Sequence, residues 1–168
     1  MPRLFLVTVD NLSRAAAILA GILLAVAMLV TCEMVFMRYI FRAATVWETD
    51  VVIFSATASI FLGAPYVLLT RGHVGVDVVE MALPSGARRV VGIIGALLGL
   101  LFTLAMTYAS AILFHEAYVN GWRTSSAAEI TLWVPLLPLP VGFALLSLQY
   151  IAELIRRFAG IDGFGAHP

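Results

Sequence analysis

The sequence has few charged residues and no lysine. Of its 168 residues, 62% are hydrophobic and 12% are charged, and ten arginines balance ten acidic residues. Because a soluble domain carries about 25% charged residues, this chain has too little polar surface to fold as a soluble globule. The absence of a basic excess also argues against nucleic acid as a partner. The composition therefore predicts an integral membrane protein.

Cysteine and histidine are scarce, and their positions exclude several kinds of site. The single cysteine, Cys32, lies inside an apolar run, which excludes an intramolecular disulfide and a cysteine-based zinc site. Haem ligation needs histidines on facing helices, whereas His73, His115 and His167 lie at the ends of apolar runs or in the tail. The sequence also has no paired nucleophile and base and no phosphate-binding glycine loop. We therefore expect neither an enzyme nor a resident cofactor or metal.

What the sequence does contain is four long uncharged runs. A helix needs about 20 residues to cross roughly 30 Å of hydrocarbon, and each run is long enough. The runs predict a single all-α membrane domain, residues 1–168, with four transmembrane helices and a flexible tail. The expected spans cover about 13–37, 51–70, 90–114 and 133–153, and the tail covers 159–168.

A signal peptide is the alternative interpretation of the first run. Arg3 and Arg14 precede it, and Ala25-Val26-Ala27 resembles a cleavage site. The apolar core of a signal peptide has about 7–15 residues, whereas this run continues well beyond Ala27. A retained membrane helix is therefore the better interpretation.

Prolines predict irregular backbone in the second and fourth spans. Pro65 leaves the carbonyl about one turn before it without a donor, so we expect a kink near Phe61. Three further prolines crowd the first half of the fourth run and predict an irregular entry, with a straight helix from about Leu139. These are Pro135, Pro138 and Pro140.

The third span contains a GxxxG pair, Gly95 and Gly99. Such a pair lets another helix backbone approach closely. Glycine is also common in membrane helices without a special role. The sequence leaves both interpretations open.

The distribution of arginine predicts the orientation in the membrane, because positive residues collect on the cytoplasmic side. With both termini cytoplasmic, the three tryptophans lie at the outer face, where indole rings favour the headgroup layer. A short interfacial helix is expected after the second span, at 74–83. The inner side then holds Arg3, Arg14, Arg71, Arg88, Arg89, Arg156 and Arg157, and the outer side holds Arg38, Arg42 and Arg123.

Charged residues cluster at both ends of the second span. The cluster before it is either a solvated surface or a docking face, and its density on one short loop favours docking. After the span, His73 and Asp77 are four residues apart, which favours an interfacial pair over a proton relay. The first cluster consists of Arg38, Arg42, Glu48 and Asp50, and the second extends from Arg71 to Asp77.

Glu33 is the only acid in the interior of an expected span. An ionisable group within a membrane helix is a functional candidate by default, as a proton or cation site. Glu33 lies one turn from the outer end of its helix. This position favours a structural role, in which the carboxylate reaches the surface or pairs with a basic group.

Taken together, these residues resemble the small membrane subunit, DctQ-like, of tripartite ATP-independent periplasmic (TRAP) transporters. The resemblance extends over about residues 12–157 and depends on the order and spacing of its motifs. The family usually has adjacent acids after its tryptophan, whereas Thr49 separates Glu48 from Asp50 here. The matching motifs are Arg38-Tyr39-Ile40-Phe41, Trp47 with the acids that follow it, Arg71-Gly72-His73-Val74-Gly75-Val76-Asp77, and Leu139-Pro140-Val141-Gly142.

The resemblance implies an accessory subunit of a sodium-driven uptake system for organic acids, such as C4-dicarboxylates or sialic acid, in the bacterial inner membrane. Its expected partners are a large DctM-like permease subunit, a DctP-like periplasmic solute-binding protein and membrane lipids. In that family the large subunit carries the substrate and sodium sites, and the small one enlarges the static scaffold. The interface or membrane-positioning candidates are Arg38, Arg42, Trp47, Glu48, Asp50, Arg71, His73, Asp77, Gly95, Gly99, Pro140 and Gly142.

Two other functions belong to different classes. A small self-assembling, proton-coupled exporter would use Glu33 as its coupling carboxylate, but Glu33 lies near a helix end. A membrane anchor of a redox complex would bind haem, but the histidines lie outside the spans. The spans also have no cluster of polar groups at the bilayer midplane, where transport sites form. The sequence therefore favours a partner of a transporter over a transporter in its own right.

Overall fold

The computed structural model describes residues 2–42, 47–70, 85–124 and 129–159. We number the α-helices of these residues in chain order. They are α1 (Pro2–Phe36), α2 (Trp47–Leu69), α3 (Ser85–Val119), α4 (Trp133–Leu136) and α5 (Pro138–Ala159).

Four helical segments are long and apolar enough to cross a membrane. They are Leu4–Phe41, Trp47–Leu69, Val90–Val119 and Trp133–Phe158. In the described part of the chain no strand occurs, and Arg123 and Thr131 form an isolated antiparallel bridge. This confirms the predicted all-α fold with four spans. The expected interfacial helix at 74–83 and the tail lie outside the described residues.

α1 and α3 extend beyond their uncharged runs. α1 has 35 residues, which corresponds to about 52 Å at about 1.5 Å per residue. This length exceeds the roughly 30 Å of the hydrocarbon, so α1 is longer than a perpendicular crossing requires. Asp10 in α1 and His115 and Glu116 in α3 are therefore helical, although they lie outside the runs on which the expected spans were based.

α1 continues into a π-helical turn, Met37–Phe41. The turn ends at Arg42, whose φ of 51° is left-handed and whose N–H donates to the Met37 carbonyl. A residue in the left-handed conformation ends a right-handed helix, because the backbone after it leaves the helical path. The Arg38-Tyr39-Ile40-Phe41 motif therefore forms the π turn, which the sequence did not predict.

α5 is the central helix of the bundle. It packs against α1, α2 and α3, whereas α1 packs mainly against α2. Within the described residues, α3 contacts α4 and α5 and contacts neither α1 nor α2. α1 and α3 therefore lie on different sides of the bundle and expose wide apolar faces.

The faces that α1 and α3 bury consist mainly of small residues at coiled-coil spacing. A period of 3.5 residues is typical of left-handed helix packing, and small side chains let membrane helices approach closely. Gly63 of α2 faces the α1 stripe, since a Cβ on Gly63 would lie 3.7 Å from the Ala20 Cβ. The buried residues are Leu6, Val9, Ser13, Ala16, Ala20 and Ala27 in α1, and Ala96, Thr103, Ser110 and Ala117 in α3.

A close contact between α2 and α5 forms at the carbonyl that Pro65 leaves without a donor. Pro65 lies inside α2 and has no N–H to give the Phe61 carbonyl four residues earlier. Gly142 of α5 packs on that carbonyl, because a Cβ on Gly142 would lie 2.6 Å from the Phe61 oxygen. The rings of Phe61 and Phe143 pack beside it, with centroids 5.2 Å apart. The expected kink near Phe61 stays a prediction.

The fourth span begins irregularly, as the prolines predicted. α4 ends at Leu136, Leu137 forms a turn, and α5 begins at Pro138. Proline is tolerated at the first position of a helix, where the N–H has no partner in any case.

The loop between α3 and α4 is tightly folded in its described part. Gly121, with φ of +60°, follows the end of α3, and the Trp122 N–H donates to the Ala117 carbonyl at 3.1 Å. The Leu132 N–H then donates to the Trp122 carbonyl at 2.9 Å. Arg123 and Glu129 form an exposed ion pair at 3.2 Å.

Gly142→Ala is expected to destabilise the bundle by about 1–3 kcal/mol, the cost of overpacking a core. The added Cβ would collide with the Phe61 backbone, which cannot move aside as a flexible side chain can. The measurement is the thermal midpoint of the purified chain in mild detergent. Gly95→Ala is the control, because a Cβ on Gly95 meets nothing within 4 Å. Equal midpoints for both variants would contradict the contact.

Candidate functional site

The connections between helices define two ends of the bundle. The loop end holds residue 42 and the loop between α3 and α4, and the terminal end holds the start of α1 and the end of α5. α1 and α3 run toward the loop end, and α2 and α5 run away from it. Trp47, Trp122 and Trp133 all lie at the loop end, on one side as expected for an aromatic belt. The orientation of this end in the membrane stays a prediction.

The charged cluster at the loop end separates into buried acids and exposed bases. Glu48 has 0% of its surface exposed and Asp50 is half-buried. Both lie in the first turn of α2, where the helix dipole stabilises carboxylates. Arg38 and Arg42 are exposed and form no side-chain hydrogen bond or ion pair with any described residue. The outward surface of this cluster is therefore cationic.

Trp47 lies beside this cationic surface with 49% of its surface exposed. Indole rings and guanidinium groups both favour the headgroup layer, where the ring contacts acyl chains and the cation contacts phosphate. Arg38, Arg42 and Trp47 can therefore set the depth of the loop end or contact another protein.

The candidates on the helix faces have different surroundings. Gly99 contacts α5, because a Cβ there would lie 2.5 Å from the Tyr150 ring. Gly142 contacts α2, as described above, and Pro140 is half-buried in the first turn of α5. Gly95 is exposed and has open space around it. Gly99 and Gly142 thus make contacts within the chain, and Gly95 faces outward.

Three sequence candidates cannot be placed. Arg71, His73 and Asp77 all lie at 71–84, outside the described residues.

A polar cluster that was not predicted from the sequence lies at the terminal end. Arg156 of α5 donates to both carboxylate oxygens of Asp10 in α1, at 2.7 Å to Oδ2. The Gln149 amide donates to Asp10 Oδ1 at 3.3 Å. The Ser13 hydroxyl donates to Gln149 Oε1 at 3.4 Å. These four side chains join α1 to α5 through hydrogen bonds that span more than a hundred residues of sequence.

Two more charged residues of α5 complete this cluster. Arg157 donates from Nε to Glu153 Oε1 at 2.9 Å, and Arg156 lies 3.9 Å from Glu153 Oε2. The side chains of Arg156 and Glu153 are 13% and 15% exposed. Two carboxylates thus balance two guanidinium groups, which reduces the cost of burying charge. We call Asp10, Ser13, Gln149, Glu153, Arg156 and Arg157 the terminal cluster.

Apolar contacts surround the terminal cluster. Leu6 and Val9 of α1 and Ala152 of α5 form a buried group, with Leu148 and Ile155 packed against it. Apolar surroundings lower the local dielectric constant and strengthen the ion pair. The terminal cluster therefore fixes the position of the start of α1 on α5.

Neutral hydroxyl groups line the contact between α3 and α5 in the middle of the bundle. Thr107 donates to the Thr103 carbonyl at 2.7 Å, and Ser147 donates to the Phe143 carbonyl at 2.9 Å. The two hydroxyls lie 3.4 Å apart. Such groups hold membrane helices together. Among the described residues, no group of three or more His, Cys, Asp or Glu side chains could hold a metal.

Loss of the Asp10–Arg156 pair is expected to destabilise the chain by about 2 kcal/mol, because hydrogen bonds to charged groups contribute about 1.5–3 kcal/mol. Asp10→Asn and Arg156→Gln should each lower the thermal midpoint, and the double variant should lose less than their sum. Arg123→Gln with Glu129→Gln is the control, since that pair is 64% and 71% exposed. Additive losses at Asp10 and Arg156 would contradict the pairing.

Comparison with known proteins assigns this chain to a protein family. The family model described as "Tripartite ATP-independent periplasmic transporters, DctQ component" matches residues 27–160, more than half of the chain. The matched region contains every described candidate residue of the sequence analysis, and it leaves out Asp10 and Ser13 of the terminal cluster.

Two curated relatives are both called C4-dicarboxylate TRAP transporter small permease protein DctQ. The one from Pseudomonas aeruginosa is 32% identical over 99 residues, which cover 58% of this chain and 47% of the relative. The one from Rhodobacter capsulatus is 28% identical over 107 residues, which cover 63% of this chain and 46% of the relative. The aligned part thus spans about half the length of each relative.

These findings agree with three predictions from the sequence. Members of the family are components of transporters and not enzymes. They are inner-membrane proteins, which fits the four spanning helices of this chain. The motif order that suggested the resemblance lies almost entirely within the matched region. This chain belongs to the DctQ family, the small membrane components of TRAP transporters.

Proposed function

We propose that this chain is the accessory small permease subunit of a sodium-driven TRAP transporter for an organic acid. It binds a large DctM-like permease subunit in the inner membrane and enlarges the static scaffold. A DctP-like periplasmic protein delivers the solute. The family match over residues 27–160 is the observation that carries this proposal.

The exposed apolar faces of α1 and α3 support an accessory role. Ile18 and Leu29 of α1 are 68% and 70% exposed, and Leu98 and Leu101 of α3 are 62% and 67% exposed. In a membrane such faces are covered by lipid or by another protein. A four-helix bundle with two wide outer faces therefore suits a subunit that packs against a larger permease.

The distribution of polar groups also supports a partner over a carrier. Transport sites form near the midplane from broken helices that present polar groups to one another. Here Asp10 and Arg156 pair between α1 and α5 at the terminal end, and the buried Glu48 lies in the first turn of α2 at the loop end. The side-chain contact between Thr107 of α3 and Ser147 of α5 joins neutral hydroxyls. On this proposal the substrate and sodium sites belong to the large subunit.

A self-assembling exporter that uses Glu33 is less consistent with the geometry. Glu33 is exposed on the outer side of α1, so it lies outside any path through this four-helix bundle. Only an assembly of several copies would enclose it.

The first test is to tag this chain, extract it gently from native membranes and identify what co-purifies. The expected result is a large polytopic permease at close to one copy per copy of this chain. Recovery of the chain only as a homo-oligomer would contradict the proposal.

Substitution of residues in the charged segments before and after the second span is expected to weaken the complex with the large subunit. Arg42→Ala, Trp47→Ala and Asp77→Ala should each lower either the recovery of the large subunit or the uptake of organic acid. The physical reason is that these side chains set the depth and tilt of the bundle on its partner. Arg123→Gln is the control, because Arg123 is exposed at the same end and already pairs with Glu129. Wild-type recovery and uptake in all three variants would refute this assignment.

A further inference from the structure

Glu33 is a carboxylate on an outer, apolar face of a membrane helix. It lies three residues before the end of α1 at Phe36 and five residues before Arg38, near the loop end of the bundle. Its side chain is exposed and forms no hydrogen bond or ion pair with any described residue. Nothing in the described part of this chain compensates its charge.

The neighbours of Glu33 on this face form a regular stripe. Residues at spacings of four and three share one face of a helix with a period of 3.5. All the members of the stripe are exposed, and it extends over about 21 Å at about 1.5 Å per residue. The stripe consists of Ile22, Val26, Leu29, Glu33 and Phe36, with exposed fractions from 38% at Val26 to 70% at Leu29 for the apolar members.

This stripe repeats the geometry that α1 uses inside the bundle. The buried stripe from Leu6 to Ala27 follows the same spacing, and α1 packs against α2 and α5. The outer stripe is displaced around the helix by about one residue and has no partner in the described chain. Beside it, a shallow apolar groove is lined by Thr31, Cys32, Val35, Phe36, Tyr39 and Ile40. The length and period of the stripe suit one further membrane helix.

The charge of Glu33 restricts which side chains the docked helix can place opposite it. A carboxylate that a docked helix covers is costly unless a cation or hydrogen-bond donors compensate it. A helix of apolar residues alone would bury the charge without compensation. A basic side chain at the level of Glu33 compensates it best, because it supplies both the opposite charge and hydrogen-bond donors.

We propose that the outer stripe of α1 is the docking face for a transmembrane helix of the large permease subunit, and that Glu33 pairs with an arginine or lysine of that helix. This inference rests on the proposed function, because it names the face that the large subunit covers. Glu33 then acts as a specificity contact in assembly and not as a site for transported protons.

The test uses the tagged chain co-produced with its large subunit. Glu33→Gln should lower the recovered large subunit about threefold or more, and Glu33→Arg should lower it about tenfold or more, because like charges repel across the contact. Glu116→Gln is the matched control, since Glu116 is an exposed acid on α3. Each variant produced alone should give the same monodisperse elution profile as the wild-type chain.

Cys32 provides a readout that does not depend on the Glu33 variants. It is the only cysteine, is exposed and lies in the groove. N-ethylmaleimide should label it at least fivefold more slowly in the complex than in the chain alone. Tyr108→Cys in a Cys32→Ser background should react equally in both, because Tyr108 lies on α3 with 71% of its surface exposed.

The outcomes separate this inference from the proposed function. If the wild-type chain recovers no large subunit, both fail. If the large subunit is recovered equally with Glu33→Gln and Glu33→Arg, and Cys32 reacts equally with and without it, only the inference fails. Protection at Tyr108→Cys instead of Cys32 would move the docking face to α3 and overturn it. If Cys32 in the chain alone already reacts as slowly as it does in the complex, a second copy of this chain covers the groove, and the inference is overturned as well.

Discussion

The close approach of α5 to its neighbours is the constraint on which the rest of the structure depends. Without water in the hydrocarbon, membrane helices associate through packing and hydrogen bonds, and not through burial of apolar surface. α5 meets α2 where Gly142 covers the Phe61 carbonyl, and it meets α3 where Tyr150 lies on Gly99. At the terminal end it meets α1 through Arg156 and Asp10. The first two contacts form at glycines, which have no side chain to hold the helices apart, and the third is an ion pair.

The use of polar groups within the bundle is consistent with an accessory role. The groups that a transporter would need at its centre are used here to hold helices together, as with the hydroxyls of Thr107 and Ser147. Most other charged residues with described side chains lie near the ends of the bundle, and Glu33 lies on its outer surface. Among the described residues, the wide apolar faces of α1 and α3 and the carboxylate of Glu33 face outward toward lipid and partner.

Local sequence chemistry predicted the features that depend on neighbouring residues. Four uncharged runs predicted four spans because length and hydropathy alone decide whether a helix crosses a membrane. The crowded prolines predicted the break at Leu137, because each one removes a backbone donor. Pro65 predicted a free carbonyl at Phe61, although nothing local indicated that Gly142, 81 residues later, would cover it.

Features that depend on the pairing of distant helices were missed. Asp10 lies 146 residues from Arg156, and only the packing of α1 on α5 makes them partners. The stripe of Ser13, Ala16 and Ala20 was a usable signal, because small residues at spacings of three and four mark a packed face. Extending α1 to Pro2 would then have placed Asp10 beside that face. The two glycines of the GxxxG pair have different surroundings, since the rotation of α3 turns Gly99 toward Tyr150 and leaves Gly95 outside.

The most direct test of the central claim is uptake of a radiolabelled C4-dicarboxylate into proteoliposomes under a sodium gradient, with the solute-binding protein supplied outside. Three preparations are compared: this chain alone, the large subunit alone, and both together. The account predicts no uptake with this chain alone and the highest uptake with both. Substrate uptake by this chain alone, without the large subunit, would contradict it.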